Sequence, residues 1–123
     1  MVMPPIDFNA LDTAVHGPIR LGVLAALRID GPLDFTTLKN RLETTDGALG
    51  QHLRTLEEIG YVACRKSFVG RRPKSTYRLT RKGVTALRNY TNAMRALLDA
   101  VEAVEKKRKA KHFGLPERDA TIA

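Results

Sequence analysis

Between Arg65 and Lys82 the chain carries eight basic side chains and no acidic one: Arg65, Lys66, Arg71, Arg72, Lys74, Arg78, Arg81 and Lys82. The chemistry open to such a cluster is charge neutralisation of an anion rather than bond making. The whole sequence has 21 Lys and Arg against 13 Asp and Glu, a formal net charge of +8 and a pI of about 10.1. Outside this one segment, 13 bases face 13 acids, so the excess charge has a single address. Concentrated charge of one sign is the electrostatic footprint expected for a polyanionic partner. A face meant only for solubility would be better served by mixed signs.

Other reactive side chains carry less. Cys64 is the only cysteine, so no internal disulfide forms, and with three scattered histidines it offers no metal-ligand spacing. It alternates with Val62 and is expected to be a small buried hydrophobe. His52 projects beside Leu49 and Leu56 and is expected to hydrogen-bond at the edge of the core. No HExxH, phosphate-cradling glycine loop or nucleophile–base–acid set occurs. The expectation is no enzyme, no cofactor and no metal. Asn89-Tyr90-Thr91 matches a glycosylation acceptor by chance, within a predicted helix.

The elements that must position the basic cluster follow from spacing and caps. The 123 residues, 43% hydrophobic, suit one domain with a modest core. Phe8, Leu11 and Val15 lie three and four apart and predict a short amphipathic helix, stopped at His16-Gly17. Pro18 suits a first helical position, and IRLGVLAALRI predicts a buried helix ended by Asp30-Gly31-Pro32. Leu38 and Leu42 predict a shorter third helix in FTTLKNRL. In TTDGALGQHLRTLEEIG, Thr45 can cap the start and Gly60 can supply the left-handed residue after the end. One face of that helix holds Leu49, Leu53, Leu56 and Ile59. The opposite face holds Gly47, Gly50, Gln51, Arg54 and Glu58. Each glycine on such a face costs about 1 kcal/mol relative to alanine, so a bared backbone points to close approach by a partner, such as a nucleic-acid groove.

After Gly60, YVACRKSF and STYRL read as two strands, with Val62 and Cys64 on one side of the first and Tyr77 and Leu79 on one side of the second. Their connection, VGRRPK, projects Arg71, Arg72 and Lys74, while Arg65 and Arg78 lie on the outer edges. Thr80 can cap a last, long helix. Along it Leu87, Tyr90, Met94, Leu97, Val101 and Val104 are spaced three, four, three, four, three, a heptad seam. A helix of about 30 residues runs about 45 Å, longer than so small a domain can cover, so the seam is expected to hold a second copy. Bases in EKKRKAKHF suit a helix C-terminus.

Taken together, HGPIRLGVLAAL, LKNRLETTDGALGQHLRTLEEIGYV and RKSFVGRRPKSTYRLTRKGVTAL resemble the winged helix-turn-helix transcription factors, specifically the small MarR-like and ArsR-like regulators. The resemblance covers roughly residues 11–87. It implies a mainly α fold with a small β-hairpin (α+β), a recognition helix beginning near Thr45, and a wing at VGRRPK. The DNA-binding residues would be Thr45, Asp46, Gly47, Gly50, Gln51 and Arg54 on the helix, and Arg65, Lys66, Arg71, Arg72, Lys74 and Arg78 on the hairpin. The thiolate clusters of metal-sensing ArsR-like proteins are missing.

The organisation expected is a winged-helix domain over 8–80, a dimerisation helix over 81–113, and flexible termini at 1–7 and 114–123. The function expected is a homodimeric regulator of double-stranded DNA acting on an inverted repeat, by repression, with activation left open. The alternative is a winged-helix module that binds RNA or a protein without reading sequence. LGVLAAL is too short to span a bilayer and the first residues lack a signal-peptide pattern, so a cytoplasmic protein without a membrane partner is expected. The domain offers no evident effector pocket in its sequence.

Overall fold

The computed structural model describes residues 7–113, with side chains through Lys109. It opens with a 3₁₀ turn at Phe8–Ala10 and continues with α1 (Pro18–Asp30), β1 (Leu33–Asp34), α2 (Phe35–Leu42), α3 (Asp46–Ile59), β2 (Val62–Val69), β3 (Arg72–Leu79) and α4 (Arg81–Phe113). Three antiparallel strands in the order β1-β3-β2 close one end of a helical cluster. The fold is α+β, helices with one small antiparallel sheet and a long C-terminal helix.

The first expected helix does not form. Asp7 accepts from the Asn9 amide at 2.9 Å and Asp12 from the Ala14 amide at 2.8 Å. Each aspartate thereby takes a backbone donor that a helix needs, which is how Asp favours turns over helix interiors. The apolar spacing is only partly used: Val15 is fully buried and Leu11 packs on the core, but Phe8 is 57% exposed.

The caps and ends of the helices that follow agree with the local signals. Pro18 opens α1, and Gly31 at φ 81° ends it, its amide bonded to the Leu27 carbonyl at 3.0 Å. The Asp34 side chain caps α2 by accepting from the Thr37 amide at 3.1 Å. A hydrogen bond with the Thr37 side chain, helped by that amide and by the charge of Lys74, holds the Asp34 carboxyl below its usual range. Thr45 Oγ1 accepts from the Ala48 amide at 3.1 Å, and Gly60 at φ 92° receives the end of α3. One strand was not anticipated. The two residues of β1 pair with β3 as Leu33↔Tyr77 and Asp34↔Thr76, too short a stretch to show any alternation.

α1 lies at the centre and contacts α2, α3, β3 and α4. It contributes Val23, Leu24 and Leu27 to a core completed by Val15, Leu38, Leu49, Leu53, Leu56, Tyr61, Val62, Tyr77, Leu87 and Tyr90. Each such leucine contributes about 1.5–3 kcal/mol from burial. The core therefore does not stop at residue 80. The first turns of α4 are part of it, tied by the Thr80 hydroxyl, which accepts from the Gly83 amide at 3.0 Å and donates to the Gly60 carbonyl. His16 Nδ1 and the Tyr90 hydroxyl are hydrogen-bonded at 2.7 Å across the other side of the helix's start.

Two side-chain expectations need correcting. Nδ1 of His52 is buried without a protein hydrogen-bond partner. Its helical neighbours three and four positions away, Leu49 and Leu56, carry no polar side-chain atom to meet it. Cys64 is only partly buried, because its position on β2 is at the margin of the core rather than inside it. Its cross-strand partner Tyr77 is pushed up to about 12, by burial first and by the adjacent Cys64 second.

Candidate nucleic-acid interface

The hairpin has a two-residue turn, Gly70-Arg71, between Val69 and Arg72. Gly70 sits at φ 66°, the positive value that tight hairpin turns require and that glycine adopts without strain. Val69, Arg72, Pro73 and Lys74, expected in the connection, are strand residues instead. Fixing the turn fixes the register, and the register sorts the bases.

Successive strand side chains alternate between faces. The pairs Val62↔Leu79, Cys64↔Tyr77, Lys66↔Ser75 and Phe68↔Pro73 share the face that meets the core. The pairs Ala63↔Arg78, Arg65↔Thr76, Ser67↔Lys74 and Val69↔Arg72 share the outward one. Arg65, Arg72, Lys74 and Arg78 thus form one exposed basic face, with Arg71 at its tip. Lys66 is separated from them on the opposite face. Lys82, part of the same run in sequence, serves the fold: its Nζ donates to the Ile59 carbonyl at 2.9 Å at the end of α3 and stands 5.8 Å from the centre of the Tyr61 ring.

On α3 the candidate residues divide by what already holds them. Thr45 is occupied as the cap, and Asp46 pairs with Lys39 of α2 at 2.9 Å. Lys39 was not singled out from the sequence, since only the fold brings α2 beside the start of α3. Gln51 and Arg54 are exposed. A Cβ built at Gly47 or Gly50 would meet nothing within 4 Å, so no internal packing explains either glycine. Arg54 and Glu57 lie near enough to Tyr77 to act on its ionisation in opposite senses, which puts this flank of α3 next to the hairpin.

The seam on α4 is used in two ways. Leu87 (8% exposed) and Tyr90 (3%) belong to the domain's own core, and Met94 packs against it. They are not available to a second copy in the way the heptad spacing predicts, because the domain itself flanks that part of the helix. Leu97 is half-buried, while Val101 (49%) and Val104 (52%) are exposed, with Leu98 beside them. The 33-residue helix is about 50 Å long, and beyond Leu97 its described side chains are exposed apart from Ala100, at 7%.

A groove of about 930 Å³ also opens between the 3₁₀ turn and the start of α4, lined by residues including Phe8, Leu11, Asp12, Tyr61, Arg81 and Lys82. It was not foreseen from the sequence, since it depends on the turn replacing the expected first helix. The Tyr61 hydroxyl there donates to Asp12, and that bond, with burial, pushes Tyr61 up to about 12. Among the described residues no helix is long and apolar enough to cross a membrane.

Comparison with known proteins places this geometry. The family model described as a winged helix DNA-binding domain matches residues 19–98. MJ0432, an uncharacterized protein of Methanocaldococcus jannaschii, is 40% identical over 72 residues, which is 58% of this chain and 78% of that one. The solved structure of a transcriptional regulator homologue from Pyrococcus horikoshii OT3 has a TM-score of 0.70 at 24% identity, covering 76% of this chain and 94% of that one. For a MarR-family protein from Enterococcus faecalis V583 the TM-score is 0.61 at 22% identity, with coverage of 84% and 89%. At these identities the two structures share the fold with this chain.

Proposed function

Because the chain belongs to the winged helix DNA-binding domain family, we propose that it is a homodimeric transcriptional regulator that reads duplex DNA with α3 and grips the backbone with its hairpin. The observation that carries this reading is the sorting of Arg65, Arg72, Lys74 and Arg78 onto one outward face of a hairpin that packs on α3, the helix where Gly47 and Gly50 meet no neighbouring atom. An α-helix fits the major groove, and a bare backbone lets it sit deeper there. The hairpin then flanks the site. Paired through α4, two copies place their recognition helices about 34 Å apart, which calls for an inverted repeat with half-sites about 10 base pairs apart or a multiple of that. Occupying such a site over a promoter represses by occlusion.

The hairpin bases are tested by salt. Arg71→Ala with Arg72→Ala is expected to weaken binding to operator and random duplex alike, since groups that hold phosphate carry no base information. Each phosphate left without its cation lowers the slope of log affinity against log salt by about 0.9, so a dimer that frees up to about four phosphates gives a visibly shallower line. An unchanged slope removes the hairpin as a phosphate clamp. Binding to structured RNA alone would replace the duplex reading altogether.

The helix is tested by sequence preference. Gln51 suits adenine and Arg54 guanine, and Gln51→Ala or Arg54→Ala is each expected to narrow the gap between operator and random DNA by about 1–3 kcal/mol. Equal weakening on both DNAs makes them backbone anchors. Gly50→Leu leaves the Leu49 and Leu53 face intact but obstructs the groove, so normal binding by that variant refutes the close approach.

A further inference from the structure

At the tip of the basic hairpin two large apolar side chains are mostly exposed: Phe68 is 72% exposed and Val69 60%. Phe68 lies across from Pro73, and Val69 from Arg72, immediately before the Gly70-Arg71 turn. The pair Cys64↔Tyr77 is the last on this face whose side chains reach the core. Phe68 is four residues further on, about 14 Å at 3.4 Å per residue, so the domain's own core lies out of its reach. A rigid proline beside an aromatic ring makes a blade, and the residues framing it, Lys66, Arg71, Arg72 and Lys74, are all cationic.

A partner matching that arrangement is anionic along its edges and flat and apolar between them. Duplex DNA has this construction, with phosphates outside and stacked bases within. A minor groove about 6 Å wide is too narrow for the ribbon itself but admits a single aromatic side chain carried at its tip. Resting on the DNA-binding reading above, we infer that Phe68, backed by Pro73, is an apolar wedge that enters the minor groove and partly unstacks one base step, while the neighbouring bases hold the flanking phosphates. Wedges inserted from the minor groove bend the duplex toward its major groove, the side on which α3 is placed, so the bend wraps DNA around the protein. Pyrimidine–purine steps unstack most easily, which makes the wedge a source of sequence preference without a hydrogen bond to any base.

The test uses the full chain and a bound duplex carrying 2-aminopurine at each pyrimidine–purine step of the footprint in turn. Fluorescence is expected to rise at one step in each half-site. Phe68→Thr keeps a good strand former at an exposed position, with folding checked by circular dichroism. It is expected to abolish the rise and weaken binding about tenfold, the size of one base–aromatic stacking interaction, with the salt slope unchanged. Phe68→Leu, still apolar, should keep most of both. Duplex binding with no rise at any step, and with Phe68→Thr binding like the unsubstituted protein, overturns the wedge and leaves the DNA reading standing. Loss of self-association, or of binding to anionic phospholipid vesicles, in Phe68→Thr with DNA binding intact assigns the tip to a protein or lipid surface and also overturns it. If the unsubstituted protein binds no duplex at all, the DNA reading itself fails.

Discussion

Gly83→Ala is expected to destabilise the fold by the upper end of the about 1–3 kcal/mol that overpacking costs, or more. A Cβ at that position would stand 2.1 Å from the Tyr61 carbonyl oxygen, 2.9 Å from its carbon and 3.1 Å from Leu79 Cδ2. Two of those atoms are backbone and cannot rotate away. The same carbonyl accepts from the Thr80 amide at 3.1 Å, and Thr80 in turn bonds Gly60 and Gly83, so the end of α3, the end of β3 and the start of α4 meet at one glycine. Moving α4 outward to admit a methyl group would loosen all three and pull Leu87 and Tyr90 from the core. Urea unfolding checks this through a lower midpoint at an unchanged slope. Gly50→Ala is the control: with open space around its Cβ, it should gain about 0.5–1 kcal/mol from helix propensity. Equal stability of Gly83→Ala and the unsubstituted protein would refute the close approach.

Replacing both Leu97 and Val101 by Lys is expected to abolish tight operator binding while leaving the domain folded. On the dimer reading, both side chains sit in the seam where α4 leaves the domain, and two ammonium groups buried there are unpaired. The buried core lies elsewhere, so circular dichroism should show the native helix content of the domain. Sedimentation should report a monomer. With the two half-sites no longer read together, affinity for an inverted repeat should fall by about 10²–10⁴-fold, while weak non-specific binding through the hairpin persists. A variant that stays dimeric moves the interface elsewhere. A monomer that binds the full operator undiminished removes dimerisation from the source of specificity.

These two predictions draw on different kinds of information. The helices α1, α2, α3 and α4 and the existence of the hairpin were legible from spacing alone, because caps and turn residues act on their immediate neighbours. Thr45 and Gly60 bound α3 through backbone hydrogen bonds a few residues away, and no distant contact is needed to place them. The concentration of charge between Arg65 and Lys82 was likewise plain, since counting needs no fold. Gln51 and Arg54 could be placed on the exposed face of α3 from helical periodicity, and both are exposed.

What tertiary structure decided is how those same residues are divided. Leu87 and Val101 occupy equivalent seam positions, yet one is core and the other surface, because only the first has the domain beside it. The hairpin bases separate by face only once a two-residue turn sets the register, which joins Arg72 to Arg65 and isolates Lys66. Lys82 looks like its basic neighbours until α4 brings it to the carbonyl end of α3. Gly83 lies in a helix, where sequence alone makes alanine an improvement, and the approach of the Tyr61 carbonyl reverses that sign. Periodicity and capping are local, so the sequence determined α1 to α4 and the hairpin, though neither the turn that replaces the first expected helix nor β1; burial, register and close approach depend on what another part of the chain brings alongside, and those only packing could decide.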